Sequence, residues 1–206
     1  MRPLRLKTNN DMTTLYQLLD NFSKAHDDVS AFGEEDLNAN FREIAERIIY
    51  GGYILVHDRF RVYARCVEFY FHEETGPIKD PKVYHRNEKF AELYPSQMTE
   101  APYFPLMSLH AHVSGYDITF ENETAQYRAS ALIREYSVYD VTKEEFVIDD
   151  DRRSTFLYYL LNGFPLNDGN SVCWKDVPQA CPWELNEPKT RKNVDDARKW
   201  SFSAKK

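Results

Sequence analysis

The sequence predicts an α+β domain, and three observations carry that expectation. Apolar residues recur at helical spacing in two stretches within the first fifty positions. The apolar period then shortens to that of a strand from Tyr53 onward. Finally, the chain holds 14 Tyr and 13 Phe, and aromatic side chains favour strands and half-wet pockets.

A first helix is expected from Asp11 to about His26. Met12, Leu15, Leu18, Leu19 and Phe22 form its apolar stripe, and Asn10 or Asp11 stands where a cap belongs. After a loop around Phe32 and Gly33, a second helix is read from Phe41, Ile44, Ala45, Ile48 and Ile49. Asn40 and Glu43 have capping-box spacing, and Gly51-Gly52 ends the helix.

A hairpin follows, with one arm at Tyr53 to Val56, a turn at His57-Asp58 and a long second arm from Arg61 to His72. Along that arm the apolar set is Val62, Ala64 and Cys66, then Val67, Phe69 and Phe71. The change of parity predicts a bulge near Cys66-Val67. Glu68, Tyr70 and His72 then project together from one face.

From Glu73 to Pro105 the chain is rich in Pro, Gly and charge and reads as a long excursion with one helical turn near Glu88 to Leu93. Strand patterns return at Leu106 to Val113, Tyr116 to Phe120 and Tyr127 to Val138. A short helix is expected at Arg153 to Leu161, closed by Gly163. The rest reads as irregular, with Cys173 to Trp183 lying across the surface. No linker interrupts the chain, so it is read as one domain over 1–206, with 1–35 a helical extension and 36–206 the core.

A net charge of −7 argues against a surface wholly adapted to a polyanion. A local basic patch for nucleic acid remains open at Arg59, Arg61 and Arg65 or in the tail from Lys189 to Lys206. The plain alternative is that these charges are solvated and balance nearby acids. Three cysteines without a paired motif, no export signal and only short apolar runs point to a cytoplasmic protein that does not enter a membrane. Cys66, mid-strand, reads as a small core residue.

Glu68 and Tyr70, followed by Asp80-Pro81 and Tyr84-His85-Arg86-Asn87, form the most suggestive constellation. A carboxylate on a strand with apolar neighbours behind it is partly desolvated and suited to general-base work. Tyr70 and His85 could enclose a flat substrate. The plain reading is that Glu68 pairs with an arginine on a neighbouring strand. A second constellation is His110 and His112, which share a strand face and, with Asp117 or Glu121, could hold a divalent metal. In the other reading both histidines line the same pocket as Glu68.

The run from Phe41 to Phe71, with its helix, the Tyr50-Gly51 turn, Leu55-Val56 and Val-Glu-Phe-Tyr, resembles the opening of the alkyladenine (3-methyladenine) DNA glycosylases. Similar elements follow in the same order at Asp80-Pro81, His85, Arg86-Asn87, Ala131 to Arg134 and Lys199 to Phe202. The resemblance implies a curved, mainly antiparallel, partly barrel-like sheet with packed helices. It implies a hydrolase that opens an N-glycosidic bond to excise alkylated purines from nucleic acid without a metal or other cofactor. Glu68 would activate water, Arg134 would orient the carboxylate and water, and Tyr70 and His85 would hold the base. The sequence departs from the family at Ser114-Gly115, where a wedging tyrosine is expected, and it lacks the Gly-Arg-Thr part of the family's loop. Without a wedge a duplex is a poorer substrate. Two other functions stay open: a non-catalytic pocket for a planar small molecule, and a metal-dependent enzyme using the His-x-His pair.

Overall fold

The computed structural model describes residues 13–25, 33–83, 103–112, 115–151, 172–178, 184–192 and 195–205. Over these residues the chain is α+β, with a strongly curled antiparallel half-barrel sheet and two helices. Helix α1 spans Leu15–Ala25 and α2 spans Glu34–Tyr50. The strands are β1 Gly52–Val56, β2 Phe60–Glu73, β3 Leu109–His112, β4 Gly115–Thr119, β5 Tyr127–Asp140, β6 Glu145–Asp151, β7 Val172–Asp176 and β8 Ser201–Ser203.

The two 14-residue strands β2 and β5 pair along their whole length and form the spine of the sheet. One edge of β2 carries β1 at residues 60–62 and β8 at 66–68. The outer edge of β5 carries β4 at 130–133 and β6 at 136–140. Strand β7 extends β1 and β3 extends β4. Each end of the spine is therefore flanked by its own short strands, which lets one long ladder serve two differently built ends.

Both helices pack on one face. Phe22 of α1 and Phe41 of α2 stack at 6.0 Å between centroids, and Phe41 stacks on Phe69 of β2 at 4.5 Å and meets Trp200 edge-on at 5.2 Å. Leu15, Leu19 and Phe22 belong to the same core as Phe69, Phe120, Tyr136 and Phe202. Offset and edge-on aromatic pairs add to simple area burial.

Three expectations are corrected. Helix α2 starts at Glu34, not beside Asn40: Gly33 is the cap, its N–H donating to Asp36 Oδ2 at 3.1 Å, and Asn40 lies inside the helix. The Asn40-Glu43 spacing mimics a capping box within a helix that had already begun. The stretch read as irregular holds three further strands among the described residues, because β6, β7 and β8 join the sheet. Arg191 of the tail is not solvated but 3% exposed.

The hairpin and the bulge stand as read. Turn residues His57 and Asp58 have φ of 55° and 52°, the left-handed backbone a tight hairpin needs. The expected turn near Glu88 to Leu93 and the helix at Arg153 to Leu161 lie outside the described residues. Among the described residues no helix is long and apolar enough to cross a membrane.

Candidate functional site

Val67, Phe69 and Phe71 face the helices, so the intervening Glu68 and Tyr70 project from the opposite face of β2. On β5 the register steps from Tyr136 opposite Ala64, to Glu135 opposite Cys66, to Ile133 opposite Val67. It thus skips Arg65 on one strand and then Arg134 on the other. Two facing bulges cancel in register but change where side chains aim. Arg134 Nε donates to Glu68 Oε2 at 2.6 Å, Arg134 Nη2 to Tyr70 Oη at 3.1 Å, and the Tyr70 hydroxyl to Glu68 Oε2 at 3.2 Å.

The fourth member comes from the C-terminal segment. Residues 184–189 run antiparallel to 201–205, with bridges at Leu185–Ala204 and Lys189–Ser201, and β8 pairs with β2 beside Glu68. The turn of this segment sets the backbone N–H of Lys192 on Glu68 Oε1 at 2.9 Å. Glu68 is 3% exposed and accepts from three donors. A carboxylate offers about four acceptor positions, so one is left over.

A second group of charges locks the segment in place. The Arg191 side chain donates to Asp80, Asp196 and the carbonyl of Phe69, the last at 3.1 Å. Its guanidinium carbon lies 4.7 Å from the centre of the Tyr70 ring and 5.2 Å from that of Trp200. Arg198 binds Asp196 at 2.6 Å and lies 4.5 Å from the centre of the Trp200 ring. Trp200 is itself fixed by donation to Asn38 of α2 at 2.8 Å. The acids Glu68, Asp80 and Asp196 therefore face the arginines 134, 191 and 198, and the joined network carries no formal net charge. Such pairing is what makes a buried carboxylate tolerable.

Electrostatics fix the roles of the neutral groups. Burial pushes the Tyr70 phenol up to about 12, against the lowering influence of Arg134, so it remains a proton donor. Burial likewise pushes the Cys66 thiol up to about 11, which excludes it as a thiolate nucleophile at neutral pH. Its Sγ lies 3.7 Å from Ser201 Oγ.

The predicted residues divide. Glu68, Tyr70 and Arg134 converge. His85 lies outside the described residues, as does the expected wedge position Ser114. His110 is in register with Asp117, which is in register with Leu132 and through it with Glu68. Three strand spacings separate His110 from Glu68, roughly 14 Å. It therefore shares the face but does not touch the carboxylate, and its ring packs on Phe104 at 4.3 Å. His112 is placed on β3, with no side-chain position described.

Glu121, considered as a metal ligand with these histidines, instead accepts from the Phe104 N–H at 2.8 Å and from Arg128 at 3.0 Å. No group of three or more His, Cys, Asp or Glu side chains among the described residues is arranged to hold a metal ion.

Sequence reasoning missed Arg191, Asp196 and Arg198 as partners of the site. The only local signal was Asp80-Pro81, already notable as an acid in a loop after a long strand. Asp80 proves fully buried, and its aspartate accepts from the Lys82 N–H at 3.0 Å as well as from Arg191.

Fold and site together define a class: an α+β sheet protein with a dry, charge-compensated carboxylate on the sheet face away from its helices. No family model, curated protein or solved structure matches the chain.

Proposed function

We propose that the protein is a glycosylase-like hydrolase of an N-glycosidic bond with Glu68 as its general base. One observation carries the reading: the Glu68 carboxylate is almost dry, fixed by Arg134, Tyr70 and the Lys192 N–H, and keeps one acceptor position unused. A base must be held still and screened from bulk water yet still reach one proton. In the reaction the water oxygen bonds to the sugar carbon and Glu68 takes the water proton. The carbon–nitrogen bond breaks, and its electron pair leaves with the base. Arg134 holds the carboxylate through the proton transfer, and the Tyr70 ring beside it offers a surface for a planar leaving group. The resemblance to the alkyladenine glycosylases points to alkylated purines in nucleic acid as the substrate class.

The test is to incubate the protein with single-stranded DNA, duplex DNA and nucleosides carrying alkylated purines and to follow free base by chromatography. Release from at least one substrate, abolished in Glu68→Gln, supports the reading. No release from any of them removes it.

A second reading has its own observation. Three acids and three arginines balance one another's charge within the network, which suits a binding scaffold that needs no turnover. A non-catalytic site for a planar small molecule would show ligand-induced thermal stabilisation with the ligand recovered unchanged.

A further inference from the structure

The face that carries Glu68 continues to the far end of the spine, where its character changes. In one row across the sheet, Leu55 of β1 is opposite Arg61 of β2, Arg61 opposite Tyr139 of β5, and Tyr139 opposite Phe146 of β6. In the next row Lys175 of β7 is opposite Tyr53, whose ring lies 5.4 Å from that of Tyr63. The rings continue through Tyr63–Phe146 at 6.2 Å and Tyr139–Phe146 at 5.3 Å. Four aromatic side chains from four strands thus form one surface on the sheet face opposite α1 and α2. Phe146 is 53% exposed, an unusual place for a bare phenyl ring.

Among the described residues, the two charged side chains on this surface, Arg61 and Lys175, are both positive. The Arg61 guanidinium carbon lies 5.2 Å from the centre of the Tyr53 ring and 6.0 Å from that of Tyr139. Its side chain is hydrogen-bonded to Tyr63, its Nε is buried without a partner, and no carboxylate among the described residues pairs with it or with the exposed Lys175. Arg59, two residues earlier, is different: it binds Asp140 at 2.7 Å and is neutralised.

From these observations we infer that Arg61, Lys175 and the rings of Tyr53, Tyr63, Tyr139 and Phe146 form a binding surface for single-stranded nucleic acid. Exposed π-faces accept any unpaired base, and unpaired cations between them accept phosphate, the combination by which single strands are held without sequence preference. A duplex hides its base faces inside the stack and gains only the charge component. The inference does not rest on Glu68 as a base. It gives the molecule a place for the strand whichever chemistry follows.

The experiment uses the full chain and a fluorescently labelled single-stranded oligonucleotide of mixed sequence, read by anisotropy across a salt series. A duplex of the same length and inorganic polyphosphate serve as competitors. Saturable binding is expected, with the single strand competing better than either. Phe146→Ala is expected to weaken binding about ten-fold, the size of one lost base stack. Its exposure makes it the variant that tests stacking without disturbing the core.

Arg61→Gln should lower the logarithmic salt slope by about 0.7, one phosphate contact on a single strand. Unchanged thermal unfolding in both variants attributes the loss to the surface. The oligonucleotide carries no alkylated base, so its binding is read without base release, which separates a failure of this inference from a failure of the proposed hydrolysis. The inference is overturned by absence of saturable binding at low salt, by unchanged affinity in both variants, or by polyphosphate competing as well as the oligonucleotide.

Discussion

Arg134 reaches Glu68 at 2.6 Å because the strands that carry them bulge at adjoining positions, one skipping Arg65 and the other Arg134. Without the paired bulges, the parity of one strand would carry Glu68 or its apolar neighbours to the wrong face. The polar site and the packing of Phe69 and Phe71 on the helices thus depend on the same local irregularity.

Removing Arg134 leaves Glu68 buried with one of its three donors and its nearest positive charge gone. Arg134→Met is expected to cost about 3 kcal/mol in urea unfolding, the usual penalty for stranding one member of a buried pair. Adding Glu68→Gln in the same chain should recover part of that loss, because the two positions are coupled. Additive losses in the double variant would show that the pair is not coupled.

Phe41 joins the helices to both Phe69 and Trp200. Phe41→Ala should destabilise by about 3–5 kcal/mol, since a fully buried ring is replaced by a void between helix and sheet. Urea midpoints with an unchanged slope would confirm it.

Glu121 predicts a pH dependence. Burial pushes its carboxyl from 4.5 up to about 7, although the Phe104 N–H and Arg128 both pull it down. The folded state therefore holds a proton that the unfolded chain releases between those values. The stabilisation from this group is full below about 4.5 and is lost as pH rises through about 7. Unfolding free energies across this window should fall with pH more steeply in wild type than in Glu121→Gln. Parallel curves would contradict the assignment.

Gly52 begins β1 where the backbone of β7 lies against it. A Cβ there would meet the carbonyl oxygen of Lys175 and the ring of Trp174. Gly52→Ala should therefore cost about 1–3 kcal/mol, the range for overpacking against atoms that cannot swing aside. A calorimetric melt compares the two.

The parts legible in the sequence were those with local periodicity. The parity switch between Cys66 and Val67 announced the bulge, and Glu68 with Tyr70 followed from strand geometry alone. Arg134 was named only through a resemblance, because nothing near it in the chain points to β2. The ion network was hidden for the same reason: Asp80 and Arg191 stand 111 residues apart. Strands β6 and β7 went unread because residues 145–148 and 172–176 are half-exposed or exposed, with little alternation. Strand β8, only three residues long, exists by virtue of its partner on β2.

The most direct test is the single-turnover rate of base release on an alkylated single strand, measured for wild type and Glu68→Gln at equal thermal stability. The account predicts a fall of about 10²–10⁴-fold in the variant, the contribution of a positioned general base. Equal rates for the two proteins would contradict it.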